Sequence, residues 1–294
     1  MPYILNDYDD VLLQILDHGK FNTNARTGEA TISLHGVQCK YDVSGYFPAL
    51  TRRKLNFSAN MAELLWFIEG STNINRLVEL GCNYWNLWRN DEFTAKNAFA
   101  DGSIGMSYGY QLRYFGQSVL YFQDNIKINN PYYNEEQGVD QLENMINGIE
   151  KDPSDRGLII NLWNAADLKH MRLRPCAYSF QVLITGDTMD GILVQRSADW
   201  PVGVPYNISF YTAFLHILAY QTGYLPGTLT HQVGSAHVYV NQVPQAKQYL
   251  SRPIVNSPKL TIKKRESIDQ YQVSDFVLEN YVYCAPDIKF DVAV

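Results

Sequence analysis

AYSFQVLITGDTMDGILVQRS, residues 177–197, is two apolar runs that alternate with polar positions around a polar TGDT turn. That pattern is a strand pair rather than a helix, because side chains of a strand point to opposite faces at a period of two. GLIINLWN (157–164), just upstream, is a third run of the same kind. Downstream the period changes. YNISFYTAFLHILAYQTGY (206–224) is the longest apolar helical pattern in the chain, so it predicts a helix buried on most sides, ended by Gly223, Pro226 and Gly227. HQVGSAHVYVN (231–241) returns to strand character. A sheet with a buried helix between its strands is therefore the centre of the fold.

Outward from that centre, Tyr8, Val11, Leu12 and Ile15 recur at helical spacing and predict an opening helix that ends before Gly19. NTNARTGEATISL (22–34) reads as a turn feeding a strand. Ser58 is the expected cap of the helix in SANMAELLWFIEG (58–70), and a second helix is expected from Asn73 to Leu80. GQSVLYFQDNIKINNPYYNEEQG (116–138) predicts a long surface loop with at most a short strand. DQLENMINGIE (140–150) and PQAKQYL (244–250) predict helices, and LTIKK (260–264) with YQVSDFVLENY (271–281) predicts a closing strand pair. No repeat or linker divides the chain, so one α+β domain is expected.

Composition narrows the function. The 294 residues, 46% of them apolar, suffice for one large core. Lys plus Arg number 24 against 30 Asp plus Glu, a net charge of −6, so no basic field points to nucleic acid or an anionic membrane. The N-terminal stretch lacks the basic cap and continuous apolar run of a secretory signal, and no run is long enough to span a membrane. The four cysteines (39, 82, 176 and 284) are scattered without a CxxC pair. Reduced thiols and a cytoplasmic location are expected.

Several residues carry chemistry by type and neighbourhood. Cys176, after Arg172, Arg174 and Pro175, is either a small apolar filler or a thiol activated by nearby arginine. Arg196 and Ser197 offer charged and neutral donors for a phosphate, and Asp199 and Asn207 suit a polar ligand; a solvated loop capping the next helix is the alternative. Glu63, among Met61, Leu64, Trp66 and Phe67, is placed to have a raised pKa or to pair with an arginine. His237 and Tyr239 share a strand face. No HExxH, phosphate-loop or dinucleotide fingerprint is present, and no metal is expected.

ARTG (25–28), MAELLWFIEGSTNI (61–74), YWNLW (84–88), SYGYQLR (107–113), DPSDRG (152–157), RPC (174–176), QRSADWPVGVPYNISFY (195–211), AHVYVN (236–241) and the terminal VAV occur in one order along nearly the whole chain. By that set the sequence resembles the folate-dependent thymidylate synthase family, which also includes pyrimidine nucleotide hydroxymethylases. The resemblance implies one α+β domain over residues 1–294, a central mixed β-sheet flanked by helices. It implies that Cys176 adds to C6 of a pyrimidine nucleotide monophosphate, that Glu63 organises water and proton transfers, and that Tyr108 supports the cysteine. Arg26, Arg196 and Ser197 would bind the 5′-phosphate, with Arg156 supplied across a homodimer interface. Asn207 would read the base, and His237 and Tyr239 the sugar hydroxyl. Trp85, Asp199 and Val294 would lie on the side of the reduced folate, 5,10-methylenetetrahydrofolate.

Departures from the family pattern are as specific as the matches. Gly157 stands where a second arginine is usual, and Arg174 is a candidate replacement as a phosphate contact. Ala177 replaces a histidine that orders water, Ser235 a frequent aspartate and Gln242 a frequent histidine. Asn207 favours uracil, since an amide both donates and accepts whereas a carboxylate only accepts. The expected reaction is reductive methylation of dUMP to dTMP. Hydroxymethylation, motivated by Ala177, and a non-catalytic nucleotide- or RNA-binding role are the alternatives.

Overall fold

The computed structural model describes residues 2–23, 28–97, 99–117, 119–121, 127–129 and 138–292. In chain order its elements are α1 (Asn6–His18), β1 (Lys20–Thr23), β2 (Ala30–Asp42), α2 (Phe57–Ile68), α3 (Ile74–Glu79), α4 (Asp91–Lys96), α5 (Gly109–Arg113), β3 (Val119–Tyr121), β4 (Lys127–Asn129), α6 (Gln141–Lys151), β5 (Ile159–Asn161), β6 (Ala177–Thr185), β7 (Thr188–Asp199), α7 (Gly203–Thr222), β8 (Leu225–Tyr239), α8 (Val243–Ser251), β9 (Lys259–Ile262) and β10 (Phe276–Glu279). A six-stranded mixed sheet in the order β1-β2-β8-β7-β6-β5 forms the centre. β3 pairs with β4, and β9 with β10, as separate two-stranded sheets.

The opening stretch forms the β6–β7 hairpin, antiparallel from Thr185 opposite Thr188. β7 and β8 are parallel, which requires a crossover, and α7 supplies it. Val204, Ile208, Phe214, Leu215 and Leu218 of α7 are all buried. Burying side chains of this size contributes about 1.5–3 kcal/mol each, so α7 anchors the sheet on one face. At the end of β7, Trp200 Nε1 donates to the Tyr8 carbonyl (3.0 Å) and Tyr8 Oη donates to the Trp200 carbonyl (3.1 Å). Their stacked rings, 5.6 Å apart, pin α1 to the sheet.

One irregularity positions the site. Along β7, Met189, Gly191, Leu193 and Gln195 are buried and then Ala198; along β8, Leu229, His231 and Val233 are buried and then Ala236 and Val238. The buried positions thus change from odd to even at one level of the sheet. The register steps over Arg196 and Gly234 between β7 and β8, and over Gly36 and Gly234 between β2 and β8. A bulge between Ala177 and Ser179 lies at the same level of the β6–β7 pair. Because the period of a strand is two, the step moves Ser197, Asp199, Ser235 and His237 off the core face.

Three local readings are corrected. α2 begins at Phe57, with Asn56 at the cap position and no side-chain cap bond, so Ser58 lies inside the helix. β6 starts only at Ala177, so Cys176 lies before the strand, and the arginine that meets its thiol is Arg196 rather than its chain neighbours Arg172 and Arg174; Pro175, lacking an N–H, cannot extend the ladder. β8 starts at Leu225, earlier than the sequence suggests, and includes Pro226 and Gly227.

The last part of the chain is held through both side chains and main chain. Tyr281 Oη donates to the Leu50 carbonyl and accepts from Leu55 N–H, both at 2.7 Å. Cys284 N–H donates to the Thr51 carbonyl (2.8 Å), and Arg252 donates to the carbonyls of Cys284 and Pro286. Lys54 N–H reaches the Asp287 carboxylate at 3.0 Å. No helix among the described residues is long and apolar enough to cross a membrane.

A Cβ at Gly234 would lie 2.9 Å from the Arg196 carbonyl oxygen, closer than real contacts allow. Gly234→Ala is therefore expected to lower the unfolding free energy by about 1–3 kcal/mol, read from urea denaturation. An unchanged midpoint would show that the strands part there without cost.

Candidate active site

Cys176 sits half-buried at the turn into β6. Arg196, at the register step of β7, wraps this turn. Its Nε donates to the Pro175 carbonyl and its Nη2 to the Arg174 carbonyl, each at 2.9 Å, and Nη2 lies 3.7 Å from Cys176 Sγ. Arg196 N–H also donates to the Cys176 carbonyl (2.8 Å). A guanidinium so fixed is a ready counter-charge for a thiolate. The other cysteines differ: burial pushes the Cys39 and Cys82 thiols up to about 12, and Cys284 Sγ donates to the Pro253 carbonyl.

Tyr108 closes the other side. Its hydroxyl accepts the Cys176 N–H at 3.0 Å. Its backbone lies at φ 40°, the left-handed region that a bulky residue enters only when its surroundings enforce it. The Tyr108 ring packs edge-on to Trp85 at 5.6 Å and against Phe67 at 4.8 Å. Trp85 Nε1 donates in turn to Glu63 Oε1 at 2.6 Å. Glu63 keeps part of its surface open, yet protein surrounds its carboxylate closely enough that burial raises its pKa to about 7; the Trp85 bond opposes the rise. Such a carboxyl exchanges protons near neutral pH.

Asn207, in the first turns of α7, is oriented by a chain of forced choices. The Ser197 carbonyl can only accept, so the Gln195 atom 3.0 Å from it must be the nitrogen, Nε2. The same Nε2 donates to Asn207 Oδ1 at 3.0 Å. Gln195 Oε1 must then accept from His231 Nε2 at 2.9 Å, and burial pulls the His231 pKa down to about 3, leaving it neutral. Asn207 is thereby held with Oδ1 as an acceptor and Nδ2 available to donate, which matches a ring presenting both N–H and C=O.

At the ends of β7 and β8, Asp199 accepts from Val202 N–H and Gln242 Nε2, both at 3.2 Å. Burial raises its carboxyl to about 6, opposed by these donors and the nearby Arg53 charge. His237 Nδ1 lies 3.4 Å from the Ser235 carbonyl, an acceptor, so Nε2 is left as the acceptor nitrogen. Burial also lowers the His237 pKa. The His237 and Tyr239 rings meet edge-on at 5.3 Å. Ser197, Ser235 and His237 line an open polar cavity of about 300 Å³ together with Thr31, Ser33 and His35 of β2.

The fold therefore brings Cys176, Arg196 and Tyr108 together, links Tyr108 to Trp85 and Glu63, and sets Ser197 and His237 in one cavity. Arg156 is elsewhere: it is exposed in the loop after α6, its carbonyl accepting from Gln181. Arg174 is exposed, with its carbonyl bound by Arg196. Arg26 and Val294 lie outside the described residues. Sequence reasoning passed over Gln195, His231 and Arg53. The first two had a signal, since each is a polar residue at a core-facing position of an apolar strand.

A thiol against a guanidinium, joined through Tyr108 and Trp85 to a carboxyl whose pKa burial raises to about 7, is equipment for covalent and acid–base transfer chemistry. The thymidylate synthase family model matches residues 6–294. The chain is 35% identical to a thymidylate synthase of Mycoplasma genitalium over 95% of this chain and 96% of that protein. It is 34% identical to the Mycoplasma pneumoniae thymidylate synthase over 99% of this chain and 100% of that protein. With the Homo sapiens thymidylate synthase, identity is 37% over 92% of this chain and 84% of that protein. The chain belongs to the thymidylate synthase family.

Glu63 gives a signed pH prediction. Its folded pKa is raised from 4.5 to about 7, so the stability associated with its protonated form is full below 4.5 and lost as pH rises through 7. Relative to Glu63→Gln, the wild type should lose up to roughly 3 kcal/mol across that window, read from melts at several pH values. Parallel curves for the two proteins would mean the carboxyl is not perturbed.

Proposed function

We propose that the chain reductively methylates dUMP at C5 with 5,10-methylenetetrahydrofolate, giving dTMP and dihydrofolate, as a cytoplasmic enzyme with its catalytic domain over residues 1–294. The reducing cytoplasm suits four cysteines that are free thiols. The observation that carries the reading is Cys176, held between the Arg196 guanidinium and the Tyr108 hydroxyl, with the Asn207 amide oriented by Gln195, the residue next to Arg196 in β7.

The residues suit the steps in order. The Cys176 thiolate forms a bond to C6, and the displaced electron pair makes C5 a nucleophile. Asn207 Nδ2 donates to O4, where the negative charge develops, while Oδ1 accepts from N3–H. Ser197 and Arg196 bind the phosphate, and His237 Nε2 accepts from the sugar hydroxyl with Tyr239 beside it. Glu63, through ordered water, moves the proton that must leave C5. When bound, the reduced folate would supply the methylene and then the hydride, and the Cys176–C6 bond breaks as C5=C6 re-forms, returning the thiolate. The residues on that side fit such a group: Asp199 is an acceptor-only carboxylate for N–H donors of a flat heterocycle, and Trp85 and Trp88 present aromatic surface.

We further propose a homodimer in which Arg156 of one subunit completes the phosphate site of the other. Its exposure away from the cavity formed by Ser197 and His237 supports that reading. Mixing Cys176→Ala with Arg156→Ala protein should restore turnover that neither has alone, because one hybrid site recovers both wild-type residues. No recovery after subunit exchange would overturn the shared site.

Product analysis tests the reaction. Purified protein with methylenetetrahydrofolate and dUMP should yield a nucleotide heavier by one methylene, with dihydrofolate absorbance rising in step, and Cys176→Ala should abolish both. A hydroxymethyl nucleotide without dihydrofolate would instead support the branch favoured by Ala177, which is buried and carries no polar atom in place of the usual histidine.

A further inference from the structure

Gln242 lies just beyond β8, almost wholly buried, and every polar atom of its side chain is used. Nε2 donates to Asp199 Oδ2 (3.2 Å) and to the Asp291 carbonyl (2.9 Å), and Oε1 accepts the Tyr239 N–H at 3.1 Å. The orientation of this amide is unambiguous, because a carbonyl can only accept and a backbone N–H can only donate. One side chain thus joins the end of β7, the end of β8 and the C-terminal segment.

We infer that Gln242 is a positioning residue: it holds Asp199 for the folate side of the reaction and couples that position to docking of the C-terminal segment. The inference rests on the function proposed above for its catalytic meaning, although the coupling itself does not need it. Residues 281–287 are held by the loop before α2 and by Arg252. Beyond them, Phe290 packs under the Arg53 guanidinium at 5.1 Å and Asp291 is tied to Gln242. Arg53 in turn donates to the Pro201 carbonyl (2.7 Å), next to the site of Asp199. The last described turn of the chain and the Asp199 carboxylate therefore share their supports.

A neutral imidazole offers one donor and one acceptor, so a histidine here could not serve Asp199 and Asp291 together while also accepting from Tyr239. The amide can, which gives this chain a three-way junction where the family pattern has histidine. The groups facing Asp199 are Tyr8 from α1, Arg53 before α2, the Val202 N–H before α7, His237 paired with it on β8, and Gln242. Of these, Arg53 packs on Phe290, and Gln242 hydrogen-bonds both Asp199 and the Asp291 carbonyl of the C-terminal segment.

The test uses the full-length protein with Gln242→Leu and Gln242→His. Without any substrate, hydrogen exchange in peptides covering 281–292 should quicken in both variants while the sheet is unchanged. In turnover, the KM for methylenetetrahydrofolate should rise about tenfold with Leu and less with His, while that for dUMP stays within about twofold. The acid limb of the folate kcat/KM profile should move to higher pH, because Asp199 loses a donor that favours its charged form. Wild-type exchange together with wild-type folate KM would overturn the coupling, and so would an equal loss for both substrates, which marks general damage. If the wild type turns over neither substrate, the proposed reaction fails, and the exchange data alone still decide the junction.

Discussion

The close approach of Gly234 to the Arg196 carbonyl is the constraint on which the site depends. At that level the register steps over Arg196, Gly234 and Gly36, and the burial pattern of β7 and β8 changes from odd to even positions. Without the step, Ser197, Asp199, Ser235 and His237 would continue into the core between the sheet and α7, where four polar side chains would have to be desolvated. With it, Ser197, Ser235 and His237 line a cavity, and Asp199 accepts from Val202 N–H and Gln242. Arg196 itself, skipped in the β7–β8 pairing but bonded through its N–H to the Cys176 carbonyl, folds its guanidinium over the turn that carries Cys176.

The second principle of the site is that ambiguous groups are fixed by unambiguous ones. Amides and imidazoles can each be read two ways, whereas a carbonyl accepts and a backbone N–H donates. The Ser197 carbonyl sets Gln195, which sets Asn207 and the tautomer of His231. The Ser235 carbonyl similarly sets His237. Burial raises both carboxyls: Glu63, opposed by the Trp85 indole, from 4.5 to about 7, and Asp199, opposed by Gln242, the Val202 N–H and the Arg53 charge, from 3.8 to about 6. Near neutral pH one can exchange a proton while the other remains an acceptor.

The elements with a clean period were legible in the sequence. The β6–β7 alternation, the all-round apolar α7 and the spacing of Tyr8, Val11, Leu12 and Ile15 in α1 reported their burial directly. Three things were not. The start of β6 depends on Pro175 and on a bulge that only pairing with β7 reveals. The α2 boundary lies at Asn56, which makes no side-chain cap bond and so leaves no chemical trace. The orientation of Asn207 depends on Gln195 and His231, 12 and 24 residues away in the chain, and proximity of that kind is a property of the sheet. Cys176, Glu63 and Arg196 stood out by residue type, and their order with the other motifs supplied the family likeness. The shift of the arginine partner from Arg174 to Arg196 needed the coordinates.

The anchoring of residues 281–287 has a consequence for how this end of the chain can vary. Half of its holds are on backbone: the Cys284 N–H and carbonyl and the Pro286 carbonyl. Although Tyr281 and Asp287 hold through their own side chains, exchange of the side chains at 284 and 286 leaves those atoms where they are and is cheap there. A deletion or insertion of one residue is not, because it would slide every carbonyl past its donor and bring the wrong peptide unit to Gln242. The segment works as a ruler, and its length sets which peptide unit meets Gln242.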